Sequence, residues 1–298
     1  MEKELISIVI VAGKNRKDKL VQNLSSIYKS DYKKFEILLV DNSEENSLEK
    51  FIIKKFPKIN YIKMPYNTGI FAFNVGFANA EGQYILLLDD DCSIEKKVLS
   101  KIIHTMKSIP ENVGIISLNV YQPSWKHYYY NRYLKKEAVR ICTFAGGACV
   151  IRKEVLNKTG YFDDKFFCWV HEDDLSMRIL NAGFDIYFEK DIIIYHHEEK
   201  SDSLRKKMLF LSYRNRAWFN LKNFSFYFFP ILILRDLIWI FMLPLRKRNI
   251  KVLAYSLTGY LWGYLNCVYA LNNRKVVSYK FQKRFLNFYL FNKYERVN

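Results

Sequence analysis

Along the first two hundred residues, short apolar runs alternate with longer stretches whose apolar residues recur at helical spacing. The runs Ser7–Val11, Phe35–Val40, Ile59–Met64 and Tyr84–Leu88 are bounded by polar turns. Apolar runs of that length predict strands with both faces buried. Between them, Lys17–Tyr28, Ser47–Phe56 and Gly69–Ala80 carry apolar residues on one helical face. Val113–Val120 and Ala148–Ile151 predict further strands before a last one at Ile192–His196. Strand alternating with helix predicts a mostly parallel sheet between two layers of helices, a three-layer α/β domain.

Polar clusters fall where these strands end. Asp41-Asn42-Ser43 follows the second, Asn67-Thr68-Gly69 the third with Asn74 a turn or two later, and Asp89-Asp90-Asp91 the fourth. Successive carboxyl ends of parallel strands form one crevice, the usual ligand site of such sheets. An ionised carboxylate withdrawn from water costs several kcal/mol unless it meets a cation or hydrogen-bond donors. Three acids closing an apolar strand therefore suit a hard divalent ion that holds a phosphate. A solvated acidic turn before a helix is the other reading that the triplet alone leaves open.

Two later segments add chemistry. In His171-Glu172-Asp173-Asp174-Leu175-Ser176-Met177-Arg178, three acids open a helix, where dipole and capping favour them. Asp174 and Arg178 stand at i,i+4 and predict an ion pair, which leaves the other carboxylates as candidate general bases. Tyr195-His196-His197 closes the last strand. Neighbouring strand side chains point to opposite faces, so at most one of these histidines faces the crevice.

Charge changes the picture beyond residue 200. The chain of 298 residues has a net charge of +17, but residues 1–200 hold 29 Lys/Arg against 27 Asp/Glu, whereas residues 201–298 hold 18 against 3. That asymmetry predicts a domain of residues 1–200 followed by a basic, aromatic helical region of residues 201–298. Leu204–Asn223 mixes basic and apolar residues, Phe224–Leu245 is strongly apolar though interrupted by Pro230, Arg235-Asp236 and Pro244, and Val252–Asn273 has no charged residue. The region fits a buried helical subdomain, a spanning hairpin with Gly259 and Gly263 at a close helix contact, or helices lying in the interface of an anionic membrane. The last is favoured, because Arg246-Lys247-Arg248 between two spans would sit across the bilayer from equally basic flanks. Nucleic acid is excluded as a partner: no RRM-like or zinc motif accompanies the charge, and long uncharged runs are not nucleic-acid surfaces. Five scattered cysteines without a CxxC pair predict reduced thiols. The start Met1-Glu2-Lys3-Glu4, leading straight into a strand, predicts no cleaved secretory signal.

Together, Ser7–Val11, Phe35–Ser43, Asn67-Thr68-Gly69 through Gly82, the acidic triplet, Ala145–Ala148 through Gly160–Phe167 and the His171–Arg178 block resemble the family 2 glycosyltransferases, in particular rhamnosyltransferase-like members, over about residues 5–200. The resemblance implies a GT-A fold, Rossmann-like with a mostly parallel mixed sheet between helices. It also implies inverting transfer of a hexosyl or deoxyhexosyl group from a nucleotide-sugar (UDP-, dTDP- or GDP-linked) to a hydroxyl of a lipid-linked or cell-surface glycan. By resemblance, the triplet is the DXD motif: Asp91 and Asp89, joined by His196, would hold Mn²⁺ or Mg²⁺. Ala12, Asp41, Asn67, Gly69, Asn74, Asp89 and Asp90 match donor-binding positions. Relatives read Glu-Asp-x-Asp-Leu where this chain reads His171-Glu172-Asp173-Asp174-Leu175, so the base falls on Glu172 without a gap and on Asp173 with one. A gap inside a helix start rotates every later side chain by about 100°, which favours Glu172. A second departure is Ala12-Gly13-Lys14-Asn15 in place of Thr-Tyr-Asn. The expected location is the cytosolic face of a membrane, with peripheral attachment. The rival readings are a non-catalytic, membrane-associated glycan-binding or scaffolding protein with a degenerate transferase domain, and a nucleotidyltransferase, which the lack of a glycine-rich basic phosphate loop weakens.

Overall fold

In the computed structural model of the chain, which describes residues 4–13, 16–43, 48–124, 126–128, 139–197, 206–291 and 295–296, the apolar runs form the strands that their patterning predicts. Lys14, Asn15, Ser47 and Leu204 lie outside the described residues. Strands β1 (Ile6–Ala12), β2 (Phe35–Asp41), β3 (Ile59–Lys63) and β4 (Tyr84–Asp89) are parallel neighbours, in the order β4-β1-β2-β3. Helices α1 (Lys17–Tyr28), α2 (Leu48–Lys55) and α3 (Phe71–Asn79) connect them.

Side-chain alternation divides the strand residues between two cores. Ile6, Ile8, Ile10, Leu86 and Leu88 pack under Leu20, Leu24 and Ile27 of α1 and under α4 (Val98–Ser108). Val9, Ile85 and Leu87 face the opposite side, with Phe77 of α3. Both faces are covered, which is why the strands lack a polar face.

The sheet continues through β5 (Cys92–Ile94), β6 (Val113–Gln122), β7 (His127–Tyr128), β8 (Val139–Ile141), β9 (Ala148–Arg152) and β10 (Asp185–His196). Strand β9 runs antiparallel between β4 and β6, while β10 is parallel to β6. The result is a mixed, mostly parallel sheet between helices. Its topology fixes the crevice. Because β9 opposes β4, the turn that opens β9 abuts the acidic end of β4. Because β5 pairs with the end of β10, setting Cys92 opposite His196, the last strand returns its histidine to the triplet.

Helices α5 (Lys153–Thr159) and α6 (His171–Asn181) follow β9, and α7 (Lys206–Asn223), α8 (Phe229–Lys247), α9 (Lys251–Leu265), α10 (Val268–Asn272) and α11 (Tyr279–Phe291) build the C-terminal layer; a two-residue β11 (Glu295–Arg296) pairs with β8. Trp218, Phe219, Phe224, Phe285 and Leu286 of this layer share one core with Leu175 and Met177 of α6.

Helix α7 departs from the expectation of a basic stretch lying on a membrane. Most of its second half is buried, and its cations turn inward: Arg216 bonds Asp173, and Lys222 bonds Asp163 and Asp174. A side chain added at Gly259 or Gly263 of α9 would strike the Phe210 carbonyl at 2.3 Å or the Ala217 methyl at 2.7 Å. The GxxxG pair therefore brings α9 against α7 backbone to backbone.

The outer face of α8 is different. Leu234, Ile238, Phe241 and Leu245 lie exposed along it, with Ile250, Leu261 and Leu265 beyond. Exposed Arg246, Lys247, Arg248 and Lys251 border that surface. Among the described residues, one helical segment, Phe226–Lys247, is long and apolar enough to cross a membrane, with a mean hydropathy of 2.0 and one third of it (33%) buried.

Candidate active site

The acidic triplet sits where β4 leaves the sheet, and its three carboxylates have three different environments. Asp89 is the most open, with 40% of its side chain exposed. Asp90 is buried, accepting from the Gly13 N–H at 2.7 Å and from Arg16 at 2.7 Å. Asp91 is buried between His196 Nε2, 3.0 Å from its Oδ1, and Arg16 Nη1, 3.0 Å from its Oδ2. Burial pushes both inner carboxylates up. For Asp90 it prevails over Arg16, whereas for Asp91 the bonds to His196 and Arg16 outweigh it and hold the group below its ordinary range.

His196 Nε2 also lies 3.8 Å from Asp89 Oδ2, so it faces both acids expected to share a metal. His197 points the other way, to Ser93 Oγ at 2.7 Å and Gln22 at 3.3 Å, as strand alternation requires. Two carboxylates and an imidazole make an oxygen-weighted donor set that fits Mn²⁺ or Mg²⁺. Cys92 lies close enough to Asp91 and His196 to join them. Burial and the neighbouring acids push its thiol well up, and a soft sulfur matches Mn²⁺ or Mg²⁺ less well than the carboxylates do.

The Gly146-Gly147 turn before β9 joins this group to α6. A Cβ at Gly147 would fall 2.0 Å from Asp89 Oδ2, and one at Gly146 would fall 2.5 Å from Glu172 Oε1. Two adjacent residues without side chains thus let Asp89 and Glu172 approach the same turn from opposite sides. Nothing in the spacing of these acids foretells that meeting.

The choice between Glu172 and Asp173 follows from their partners. Asp173 is buried and accepts from Thr143 Oγ1 at 2.8 Å, Arg216 at 2.9 Å and the Tyr289 hydroxyl. It ties α6 to α7 and α11, with three donors on its two oxygens, so of the two candidate bases it is the one engaged in packing. Asp174 is likewise held by Arg178, as its spacing predicts, and by Lys222 and Asn223. Glu172 keeps a partly open carboxylate, with His171 Nε2 3.2 Å from Oε1. Burial would push it up, but His171, and more weakly Arg216, pull it below its usual range, so it is ionised at neutral pH.

The loop that leads into α6 is strained. Phe167, Trp169 and Val170 have φ of 59°, 62° and 66°, a region that L-residues seldom occupy. Asn215 of α7 fans its amide over the carbonyls of Phe166, Cys168 and Trp169, and Arg214 holds that of Lys165. The C-terminal layer therefore holds the backbone that presents Glu172.

Other expected donor contacts are placed unevenly. Asn67 is exposed, and its Oδ1 accepts from Gly69 N–H and from Asn42, whose own Oδ1 takes Thr68 N–H; this shapes the Asn67–Gly69 loop at the crevice. Gly69, at φ 61°, lies under the Phe167 carbonyl, 2.2 Å from where a Cβ would be. Three further expected positions have polar groups bonded within the protein. Asn74 is turned away, both ends of its amide bonded to the Phe162 backbone. Ala12 is buried, with its carbonyl taken by Asn42 N–H. Asp41 stands at the right strand end, but Ser43, Tyr61 and Lys63 occupy its oxygens and hold it low against the opposing effect of burial. Gly13, Arg16, Gly146, Gly147 and Asn215 were not foreseen. Gly146 and Gly147 stand in a segment that carried the family resemblance and Gly13 in one that departs from it, whereas Arg16 and Asn215 carry no signal in the sequence.

Solved structures of the same architecture cover most of this chain. A mannosyltransferase from Pyrobaculum calidifontis in complex with GDP-Man and Mn²⁺ superposes with a TM-score of 0.59 at 14% identity, over 89% of this chain and 76% of that one. TarS of S. aureus gives 0.54 at 18% identity, over 71% and 39%. The fold is GT-A. Among curated proteins, the probable glycosyltransferase YdaM of Bacillus subtilis is 23% identical over 223 residues, covering 67% of this chain and 52% of its own length. An uncharacterized glycosyltransferase of Rickettsia felis is 32% identical over 116 residues, covering 38% of this chain and 19% of its own length. The chain thus spans about half or less of these curated relatives. Residues 7–170 match the family described as Glycosyl transferase family 2. That match covers more than half of the sequence and contains the triplet and the glycine turn: this chain belongs to glycosyl transferase family 2.

Proposed function

We propose that the chain is an inverting, metal-dependent glycosyltransferase that moves a hexosyl or deoxyhexosyl group from a nucleotide-sugar to a glycan hydroxyl. The observation that carries this reading is the convergence of Asp89, Asp91, His196 and Glu172 around the Gly146-Gly147 turn. Asp89, Asp91 and His196 would hold Mn²⁺ or Mg²⁺, which would supply positive charge against the departing nucleoside diphosphate. Glu172 accepts the proton of the acceptor hydroxyl as it attacks the anomeric carbon in a single displacement. The Asn67–Gly69 loop borders the donor. The mannosyltransferase binds GDP-Man, and a solved form of TarS residues 1–349 is a complex with UDP, so guanine and uracil donors are the first to try. In a thermal-shift panel of UDP-, dTDP- and GDP-sugars, one donor should stabilise the chain only with Mn²⁺ present, by about 2.7 kcal/mol at a hundredfold excess over its Kd. That donor should release nucleoside diphosphate when acceptor is added. A panel with no metal-dependent stabilisation sinks the reading.

The acceptor in this proposal is lipid-linked or part of a cell-surface glycan, and the chain lies on the cytosolic face of a membrane. The exposed stripe of α8 with its basic border supports that attachment: apolar side chains enter the interface, and Arg246, Lys247, Arg248 and Lys251 meet anionic headgroups. The chain should float with vesicles that contain anionic lipid and remain behind with neutral ones. A double substitution of the exposed Leu234 and Ile238 to Asp should abolish flotation at unchanged Tm. A wild-type chain that fails to float with either vesicle removes the membrane from the proposal.

A further inference from the structure

We propose that Arg16 is a tethered counter-cation that makes metal binding at Asp89, Asp91 and His196 conditional on the diphosphate of the donor. The inference rests on the reading of this group as a metal–diphosphate site. Arg16 immediately precedes α1, and one guanidinium nitrogen lies 2.7 Å from Asp90 and 3.0 Å from Asp91. It approaches Asp91 on Oδ2 while His196 approaches on Oδ1, so both oxygens of Asp91 already face a nitrogen. A divalent ion that arrives alone must take Asp91 beside a guanidinium of like charge.

The geometry also provides the release. The Arg16 side chain is 44% exposed, whereas those of Asp90 and Asp91 are 3% and 1% exposed, so the arginine can move where the acids cannot. Asp90 keeps the Gly13 N–H when Arg16 leaves. A nucleoside diphosphate offers that guanidinium a multiply charged, fork-shaped partner. Metal and diphosphate therefore assist each other: the diphosphate draws Arg16 off the acid that the metal needs. By linkage, the metal strengthens nucleotide binding by the same factor. When the product diphosphate departs, Arg16 returns to Asp90 and Asp91 and displaces the ion.

The test titrates Mn²⁺ into the full chain, wild type, Arg16→Gln and Arg16→Lys, with free Mn²⁺ read by electron paramagnetic resonance, alone and with saturating UDP or GDP. Wild type should bind Mn²⁺ at least about tenfold more tightly with the diphosphate than without it, within the usual range of coupling between sites. Arg16→Gln should bind Mn²⁺ alone about tenfold more tightly than wild type and show a coupling smaller by that same factor, keeping only what the attraction between ion and diphosphate supplies. Arg16→Lys retains a cation and should stay near wild type for Mn²⁺ alone, which separates charge from damage to the fold. If wild type binds Mn²⁺ with nucleotide but Arg16→Gln leaves the affinity for Mn²⁺ alone unchanged or weaker, Arg16 does not gate the metal. If no form binds Mn²⁺ with or without UDP or GDP, the metal reading fails first and this inference with it.

Discussion

Replacing Glu172 with Gln should lower turnover about 10²–10⁴-fold, the usual worth of a positioned base, and leave nucleotide affinity within error, with Tm at pH 7 slightly below wild type because a carboxylate lowered in the fold is lost. The amide keeps the shape that fits over Gly146 and can still meet His171, but it cannot take a proton. The corresponding loss is about 3–5 kcal/mol of transition-state stabilisation. Asp173→Asn should behave in the opposite way. Its carboxylate neutralises Arg216 and receives Thr143 and Tyr289 inside the joint between α6 and the C-terminal layer. Breaking a buried pair from one side costs about 3–5 kcal/mol, so this variant should melt several degrees lower. What turnover it keeps below its Tm should be a large fraction of wild type. Steady-state assays with parallel melting curves separate the two. Full turnover in Glu172→Gln, together with loss in a stable Asp173→Asn, would reverse the assignment.

That contrast shows what the chain's pattern reveals and what it hides. The strands from Ile6 to Asp89 and the helices between them were legible because burial on both faces leaves no polar position in a strand and a helix buries one stripe. The metal group was legible because a carboxylate triplet closing such a strand needs an external explanation, and strand parity left one histidine to join it. The identity of the base was not legible from periodicity, since Glu172, Asp173 and Asp174 are adjacent acids at one helix start. Their roles differ because Arg216, Lys222, Asn223 and Tyr289, forty or more residues away, select two of the three. The same long-range pairing misled the reading of α7. A basic composition predicts a solvated or lipid-facing helix unless the acids that neutralise it are known, and Asp163, Asp173 and Asp174 are those acids. Asn74 and Asp41 stood at suitable positions in the sequence, yet hydrogen bonds to Phe162, Tyr61 and Lys63 take their polar atoms. A motif locates a residue, and its partners decide whether the side chain is available.

Asp91→Asn should abolish Mn²⁺-dependent nucleotide binding and lower turnover at least about 10²-fold, because it removes the carboxylate that faces both His196 and the crevice. Its effect on the free protein has a sign that can be worked out. Asp91 is held below its ordinary range in the fold by His196 and Arg16, against burial. A carboxyl lowered on folding adds stability above its unfolded value, and that stability is lost as pH falls through the folded one. The variant should therefore melt below wild type at neutral pH, and the gap should close in acid, where both side chains are neutral. Asp90 is raised by burial despite Arg16, so its charge opposes folding. Asp90→Asn should accordingly be neutral or mildly stabilising at pH 7. Melting curves across pH 3–8 without metal, repeated with Mn²⁺ and nucleotide, read both effects. The ordering expected with metal and nucleotide is a large rise for wild type and none for Asp91→Asn, and a metal-dependent rise that survives in Asp91→Asn would move the ion off Asp91.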